Sequence, residues 1–172
     1  FINKDGGVQY FIDAPVELYI LSTLWCMIVG PELDRILDEG CFGNRLDRES
    51  DESSDEGSSK LFKIFHHQYA KWRNTAIDRA KELLEQGTSA VILSLDIKQC
   101  FYRLSVDWQR VPVRQNRGFR NLSRNLTSIL KKIHISYRTI ISESLAQTHG
   151  IHDSTPEGIP IGLPSSRVLA NW

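Results

Sequence analysis

A nine-residue run near the middle of the chain, SAVILSLDI at residues 89–97, constrains the fold most strongly. It is largely apolar and carries a single carboxylate, Asp96, next to its end, which predicts a buried strand that meets solvent at one end. Helical periodicity occurs on both sides of this run, at residues 60–86 and at residues 119–146. Gly87 ends the first of these two patterns. A single strand is not stable without neighbours, so the pattern predicts an α+β fold whose other strands lie partly outside this chain.

The other predicted elements are shorter. Residues 13–30 predict a helix that Asp13 caps and Gly30 ends, and residues 31–40 predict a second helix that Gly40 ends. Residues 47–60 hold six acidic and two basic side chains among serine and glycine, which is typical of a mobile loop inserted within a domain. A Pro/Gly-rich segment then leads to a final helix near Ser165.

Composition places the chain in the ordinary globular class, with 41% hydrophobic and 24% charged residues. No apolar run approaches the roughly 20 residues of a membrane span, so we expect no membrane association. The three cysteines lack CxxC spacing, which argues against a disulfide framework or a zinc site and favours a cytoplasmic location. The chain opens on Phe1 and its one methionine is Met27, so we expect it to be a fragment.

The charges are segregated although the net charge is zero. Residues 103–138 carry nine basic side chains and one acidic side chain, Asp107. Such a stretch can follow a nucleic-acid backbone, because each neutralised phosphate releases counterions. The residues that we expect to face phosphates are Arg114, Arg117, Arg120, Lys131 and Lys132. A solvated helix face is the alternative.

Asp96 carries the chemistry of the predicted strand. Taken alone, an aspartate at a strand end is often a cap or a turn acceptor. A carboxylate on a rigid strand at the solvent edge is also a suitable ligand for Mg²⁺ or Mn²⁺, with the backbone carbonyl of Ile97 as a second oxygen. Both interpretations remain open at this point.

Three segments together resemble reverse transcriptases. LDIKQCFYRL, in which Phe101 follows Asp96 by five positions, resembles motif A of that family, and PEGIPIGLPSSRVLANW resembles motif B. CFGNRLD is similar to a glycine–aromatic–arginine motif in the fingers of the bacterial members, of the retron and group II intron types. The three occur in the family's order over nearly the whole chain, and the combination looks most like the defence-associated, antiphage and abortive-infection branch.

The resemblance implies a right-hand polymerase fold, with residues 1–89 as fingers and residues 90–172 as the first part of the palm. It implies RNA-directed DNA synthesis with two Mg²⁺ ions, held by Asp96 and the Ile97 carbonyl. Phe101 would lie under the incoming sugar and select deoxynucleotides, unless it is a core residue.

The same resemblance gives roles to residues outside motif A. Pro160 and Gly162 would shape a loop close to the templating base pair. Ile161 between them replaces the glutamine that many members use to contact the nucleotide. Arg45 would approach template or triphosphate, unless it forms a salt bridge with Asp47 or a neighbouring helix.

The sequence also departs from the family. The usual basic pair for the triphosphate is missing before the first helix, where the chain reads YFIDAPVELYI, and Lys4, Arg45 or Lys98 are the possible substitutes. This suggests unusual nucleotide handling, such as template-independent or protein-primed synthesis. The Tyr-x-Asp-Asp motif is absent, so we expect the chain alone to be inactive.

The expected partners are an RNA template, a DNA primer or product and deoxynucleoside triphosphates, with partner subunits as a further candidate. Two alternatives to the enzyme are a catalytically inactive polymerase-like module that binds nucleic acid or partner proteins, and an unrelated helical scaffold. We expect Trp25, Tyr69 and Trp72 to be core residues, His66 and His67 to lie on a helix surface, and Cys100 to be buried.

Overall fold

The computed structural model describes residues 11–47, 60–97, 100–149 and 158–172. These residues form six helices: α1 (Val16–Ile28), α2 (Gly30–Arg35), α3 (Phe65–Glu85), α4 (Cys100–Arg103), α5 (Arg120–His149) and α6 (Pro164–Leu169). The only β-structure within these ranges is one antiparallel bridge between Leu46 and Phe62. The described protein is therefore helix-rich.

The core lies where α1, α2, α5 and α6 pack together. Trp25 of α1 is fully buried, and its indole Nε1 donates to Thr127 Oγ1 of α5 over 3.0 Å. Between α1 and α6, Ser22 Oγ donates to Ser165 Oγ over 2.8 Å and accepts the Ser165 backbone N–H over 2.9 Å. Two fully buried serines at this crossing let the helices approach closely and satisfy their polar groups on each other. The prediction that Trp25 is a core residue is confirmed.

The first two helices form as predicted, but their ends differ. Pro15 is the N-cap of α1, and no side chain caps the helix, so Asp13 is not its cap. Gly30 does not end the helical region; it is the first residue of α2, which stops at Arg35, five residues before Gly40. The reason for a glycine here is packing, because a Cβ on Gly30 would lie 2.8 Å from Leu46 Cδ1.

Helix α3 confirms the long helix predicted before Gly87. Gly87 has φ +74°, its N–H donates to Leu84 O, and the Thr88 N–H donates to Leu83 O, each over 2.9 Å. This pair of bonds is a Schellman motif, which requires a residue that tolerates positive φ. None of the residues of α3 is buried, however. The prediction that Tyr69 and Trp72 belong to the core is wrong, since they are 50% and 45% exposed.

The strand predicted at residues 89–97 is absent from the structure. The segment has no regular secondary structure, and all its residues except Ala90 are exposed, up to 94% for Val91. A strand forms only when a neighbour pairs with its backbone groups, and the described residues provide no strand beside this one. The part of the chain that the structure describes is helix-rich, and the α+β fold stays a prediction for the assembly with further strands.

Helix α5 matches the helix predicted at residues 119–146. Ser123, Leu126, Leu130, His134 and Tyr137 form its buried stripe. Leu122 and Ile129, which the periodicity also placed on the apolar face, are exposed. Among the described residues, no helix has both the length and the apolar content that crossing a membrane requires.

The acidic stretch falls mostly outside the described residues, but its two ends are visible. The Asp47 N–H donates to Leu61 O over 3.1 Å, and the Lys63 N–H donates to Arg45 O over 2.9 Å. Together with the Leu46–Phe62 bridge, these bonds hold the two ends side by side. Residues 45–47 and 61–63 therefore lie side by side.

Candidate functional site

The segment CFGNRLD lies against the end of the chain that resembles motif B. The Asn171 side-chain amide donates to the Gly43 carbonyl, and Arg167 Nε donates to Asn44 Oδ1 over 3.0 Å. The Arg167 guanidinium also lies over the Phe62 ring, 4.2 Å from its centroid. Asn44 accepts this bond from a left-handed backbone conformation, φ +48°, which asparagine tolerates better than most residues.

The motif A-like and motif B-like segments also touch. The Ile159 backbone N–H donates to the Phe101 carbonyl over 2.7 Å, and Ile159 is fully buried. Phe101 lies on the one-turn helix α4, which follows Asp96 after a short connection. The structure therefore brings together the three segments on which the family resemblance rests.

Asp96 is exposed and forms no hydrogen bond or ion pair with the described residues. Ile97 beside it is 70% exposed. Carboxylate and carbonyl oxygens are the ligands that Mg²⁺ prefers, and this ion is commonly held by one or two carboxylates together with water and substrate phosphates. Within the described residues, no group of three or more His, Cys, Asp or Glu side chains is arranged to hold a metal. Asp96 and the Ile97 carbonyl therefore fit Mg²⁺ as part of a ligand set and not as a complete one.

The Phe101 side chain is partly buried and packs against the hydrophobic core. This position matches the core-packing alternative for Phe101, and the expected contact with the incoming sugar stays a prediction. Its backbone carbonyl, which accepts the bond from Ile159, fixes α4 against the motif B-like turn.

The turn at residues 160–162 is closed by the chain itself. Pro160 is fully buried, and the Ile161 carbonyl accepts the Ile12 N–H over 2.9 Å. Gly162 has φ +117°, and a Cβ on it would lie 3.4 Å from both the carbonyl oxygen and Cγ2 of Ile12. The close approach that Gly162 permits in this structure is to Ile12, and the expected approach of this loop to a templating base pair stays a prediction.

Arg45 is committed to the structure of the protein. Its Nε and Nη2 donate to the two carboxylate oxygens of Asp34 in α2, over 2.8 and 3.3 Å, and Nη2 also donates to the Asp34 carbonyl. Nη1 donates to the carbonyls of Asp38 and Cys41. These bonds use all five N–H groups of the guanidinium. The salt bridge to a neighbouring helix is therefore confirmed, through Asp34 of α2, and the expected nucleotide contact by Arg45 stays a prediction.

The expected phosphate-facing residues fall into two groups. Arg114, Arg117 and Arg120 lie at and just before the start of α5, where Arg114 covers the Phe119 ring at 5.0 Å. Lys131 lies three helical turns beyond Arg120, on nearly the same face and about 16 Å away along the axis. Lys132 faces another direction and borders an apolar cavity of about 540 Å³ between α5 and the segment before α1. None of these five cations forms an ion pair with a described residue.

His134 is a buried titratable group that sequence reasoning missed. It is 2% exposed, and its ring meets the Trp108 ring edge-on, with centroids 5.0 Å apart. Neither ring nitrogen has a hydrogen-bond partner among the described residues. Burial, and then the charge of Arg138, lowers the pKa of His134 to about 3. The available signal was its place four residues after Leu130, on the buried stripe of α5.

The cysteines are not reactive candidates. Burial raises the pKa of the Cys26 thiol to about 12, and burial also raises the pKa of Cys41. Thiolates are the nucleophilic form, so both side chains remain protonated at neutral pH. Cys100, expected to be buried, is half-buried at the start of α4.

A second missed feature is a cavity of about 330 Å³ between α3 and the turn at residues 40–43. Phe42, Phe65, Tyr69 and Trp72 line it. Tyr69 and Trp72 lie on the apolar face of α3, which predicts core packing. Periodicity does not reveal, however, whether such a face has a protein partner.

Comparison with protein-family models, with curated proteins and with solved structures gives no match for this chain. The resemblance to reverse transcriptases therefore rests on the chain's own three segments.

Proposed function

We propose that this chain forms the fingers and the first part of the palm of an RNA-directed DNA polymerase, which adds deoxynucleotides to a primer 3′-hydroxyl. The observation that carries the proposal is the hydrogen bond between the Ile159 N–H and the Phe101 carbonyl. It joins the segment that resembles motif A to the segment that resembles motif B, which are more than fifty residues apart in the sequence.

In this proposal Asp96 is the catalytic carboxylate. Two divalent ions, when bound, lower the barrier by activating the hydroxyl and stabilising the leaving pyrophosphate. The part of this chain is to present the Asp96 carboxylate and the Ile97 carbonyl as hard oxygen ligands. Because Asp96 has no internal partner among the described residues, no ion pair must break before it can act as a ligand.

The proposal includes a strand at residues 91–97 once further strands pair with it. Val91, Leu93, Leu95 and Ile97 alternate along the segment and are 94%, 77%, 82% and 70% exposed. Full burial of such side chains stabilises a protein by about 1.5–3 kcal/mol each, so an adjoining sheet would gain strongly from covering them. Asp96 would then lie on the opposite face from these four side chains, with Ile92 and Ser94.

Hydrogen exchange tests this strand. In the 172-residue chain, the amides of residues 91–97 are expected to exchange without protection, because they lie outside regular structure. In the full-length protein they are expected to be protected. Equal exchange in both proteins contradicts the proposed palm sheet.

Triphosphate binding needs cations other than Arg45, because its donors are all used internally. The remaining substitutes from the sequence, Lys4 and Lys98, lie outside the described residues. Of these we propose Lys98, which is two residues from Asp96. The Lys98→Gln variant of the full-length protein is expected to raise the KM for deoxynucleotides, and an unchanged KM rejects this role.

Primer extension by the full-length protein, on an RNA template with Mg²⁺, tests the polymerase. Asp96→Asn is expected to abolish incorporation while circular dichroism shows an unchanged fold. The matched control is Asp107→Asn, which alters another exposed aspartate and is expected to retain activity. Incorporation that persists in Asp96→Asn contradicts the role of this residue.

The same assay separates the alternative. If the unaltered full-length protein binds primer–template but incorporates nothing with Mg²⁺ or Mn²⁺, the chain is an inactive polymerase-like binding module. Reactions without template decide whether synthesis is templated.

The likeness to defence-associated enzymes extends the proposal to antiphage defence in the cytoplasm. A phage challenge of cells with the unaltered or the Asp96→Asn protein tests that extension, since equal plaque numbers reject it.

A further inference from the structure

Three aromatic side chains form an exposed row on the first half of α3. Phe65, Tyr69 and Trp72 are 65%, 50% and 45% exposed. The Phe65 and Tyr69 rings are stacked with centroids 6.1 Å apart, and the Tyr69 and Trp72 rings lie 5.5 Å apart. No residue of α3 is buried, so these rings do not serve the core of the described protein.

The row faces a cavity large enough for a planar ring. The cavity measures about 330 Å³, with the aromatic row on one wall and the Gly40–Phe42–Gly43 turn on another. The Gln68 side chain also lines it and is partly exposed. A carboxamide can both donate and accept hydrogen bonds, as the edge of a nucleobase requires.

The stretch of the chain that carries the row is positively charged. Residues 60–77 contain four basic side chains and no acidic one, whereas the second half of α3 neutralises its cations internally. There Lys81 pairs with Asp78 at 3.6 Å, and Arg79 pairs with Glu82 at 2.8 Å. Lys71 and Arg73 flank Trp72 at about 100° on either side of the helix. Neither forms an ion pair with a described residue, and Arg73 donates only to the neutral Asn74 side chain.

We propose that this surface, defined as Phe65, Tyr69 and Trp72 with Lys71 and Arg73, binds single-stranded nucleic acid. Unpaired bases stack on the aromatic row, one of them in the cavity, and the two cations contact the flanking phosphates. Exposed rings combined with uncompensated positive charge match a strand that is both planar and polyanionic. A purely apolar protein partner would leave the charge of Lys71 and Arg73 without a counterpart.

Fluorescence anisotropy with labelled oligouridine and oligodeoxyuridine of about 12 nucleotides tests the proposal. The buffer contains EDTA and no nucleotide, so the result does not depend on Asp96 or on polymerisation. Tyr69→Ala and Trp72→Ala are each expected to weaken binding about 5- to 150-fold, the range observed for loss of one stacking contact. Comparison of the two oligomers shows whether the 2′-hydroxyl contributes.

The cations are tested by salt dependence. Lys71→Gln and Arg73→Gln are each expected to reduce the slope of log affinity against log salt by about 0.7 for a single strand. The matched controls lie in the second half of the same helix. They are Lys81→Gln, whose lysine is already paired, and Leu84→Ala, an exposed apolar residue, and both are expected to bind as the unaltered chain does.

Three outcomes would overturn the proposal. The first is unchanged affinity in Tyr69→Ala and Trp72→Ala. The second is competition by a blunt duplex as effective as that by a single strand. The third is a change of self-association in Trp72→Ala without a change in oligonucleotide binding, which would make the row a protein–protein surface.

Discussion

Acidification is expected to destabilise the protein through His134. The ring is 2% exposed against Trp108, and neither nitrogen is hydrogen-bonded to a described residue. Burial and then the Arg138 charge lower its pKa from 6.5 to about 3. In the unfolded chain the imidazole is hydrated, so it takes up a proton at a higher pH than in the folded protein.

The sign and size of the change in stability with pH follow from this difference between the folded-state and unfolded-state pKa of His134. A folded-state pKa below the unfolded one means that the unfolded state binds more protons between about pH 6.5 and pH 3, so stability falls as the pH falls through that window. At pH 5, protonation of His134 in the unfolded state lowers the free energy of unfolding by RT ln(1 + 10^1.5), which is about 2 kcal/mol. At pH 7.5 the same effect is less than about 0.1 kcal/mol.

Urea denaturation at both pH values measures this loss. Other titrating groups also change stability, so the comparison is with His134→Phe, which keeps an aromatic edge against Trp108 and cannot be protonated. Between pH 7.5 and 5 the unaltered protein should lose about 2 kcal/mol more than the variant. His66→Phe, at an exposed position on α3, should behave as the unaltered protein does. An equal loss in His134→Phe and the unaltered protein would refute the reasoning.

Three further substitutions are expected to lower the urea midpoint. Arg45→Lys keeps the charge but cannot reproduce the five-donor geometry, and should cost about 1–3 kcal/mol through carbonyls and a carboxylate left without donors. Gly162→Ala places a side chain at φ +117° and 3.4 Å from Ile12, and should cost about 1–3 kcal/mol. Ser22→Ala removes the acceptor of the buried Ser165 N–H and should cost about 1–3 kcal/mol. If the urea midpoint of any of these three variants equals that of the unaltered protein, the contact that the substitution removes does not stabilise the fold.

Sequence periodicity predicted the helices well because it depends on local geometry. The bounds of α5 differ from the prediction by one to three residues, and the end of α3 was located by Gly87, whose positive φ the Schellman motif requires. Partners were harder to predict, because amphipathicity shows that a face is apolar and not what covers it. Trp25 and Trp72 carry the same side chain on similar patterns, yet one is fully buried and the other is 45% exposed.

The candidate site shows the same division. The order of the motifs predicted that three distant segments belong together, and the Ile159–Phe101 and Asn171–Gly43 bonds join them. Individual roles required side-chain geometry. Nothing in CFGNRLD reveals that Asp34, on a different helix, accepts two of the five bonds from Arg45 through its carboxylate.

The two halves of the motif A-like segment differ in how firmly this chain holds them. Phe101 packs against the core and is bonded to Ile159, whereas residues 91–97 have neither regular structure nor burial. A metal ligand works only when its surroundings fix its position to within a fraction of an ångström. Contacts among the described residues do not fix Asp96 in this way, so in the proposed enzyme strands that pair with residues 91–97 would position its carboxylate. Completion of the sheet and formation of the metal site are therefore one event in the proposed enzyme, and a partner that prevents the first must also abolish the second.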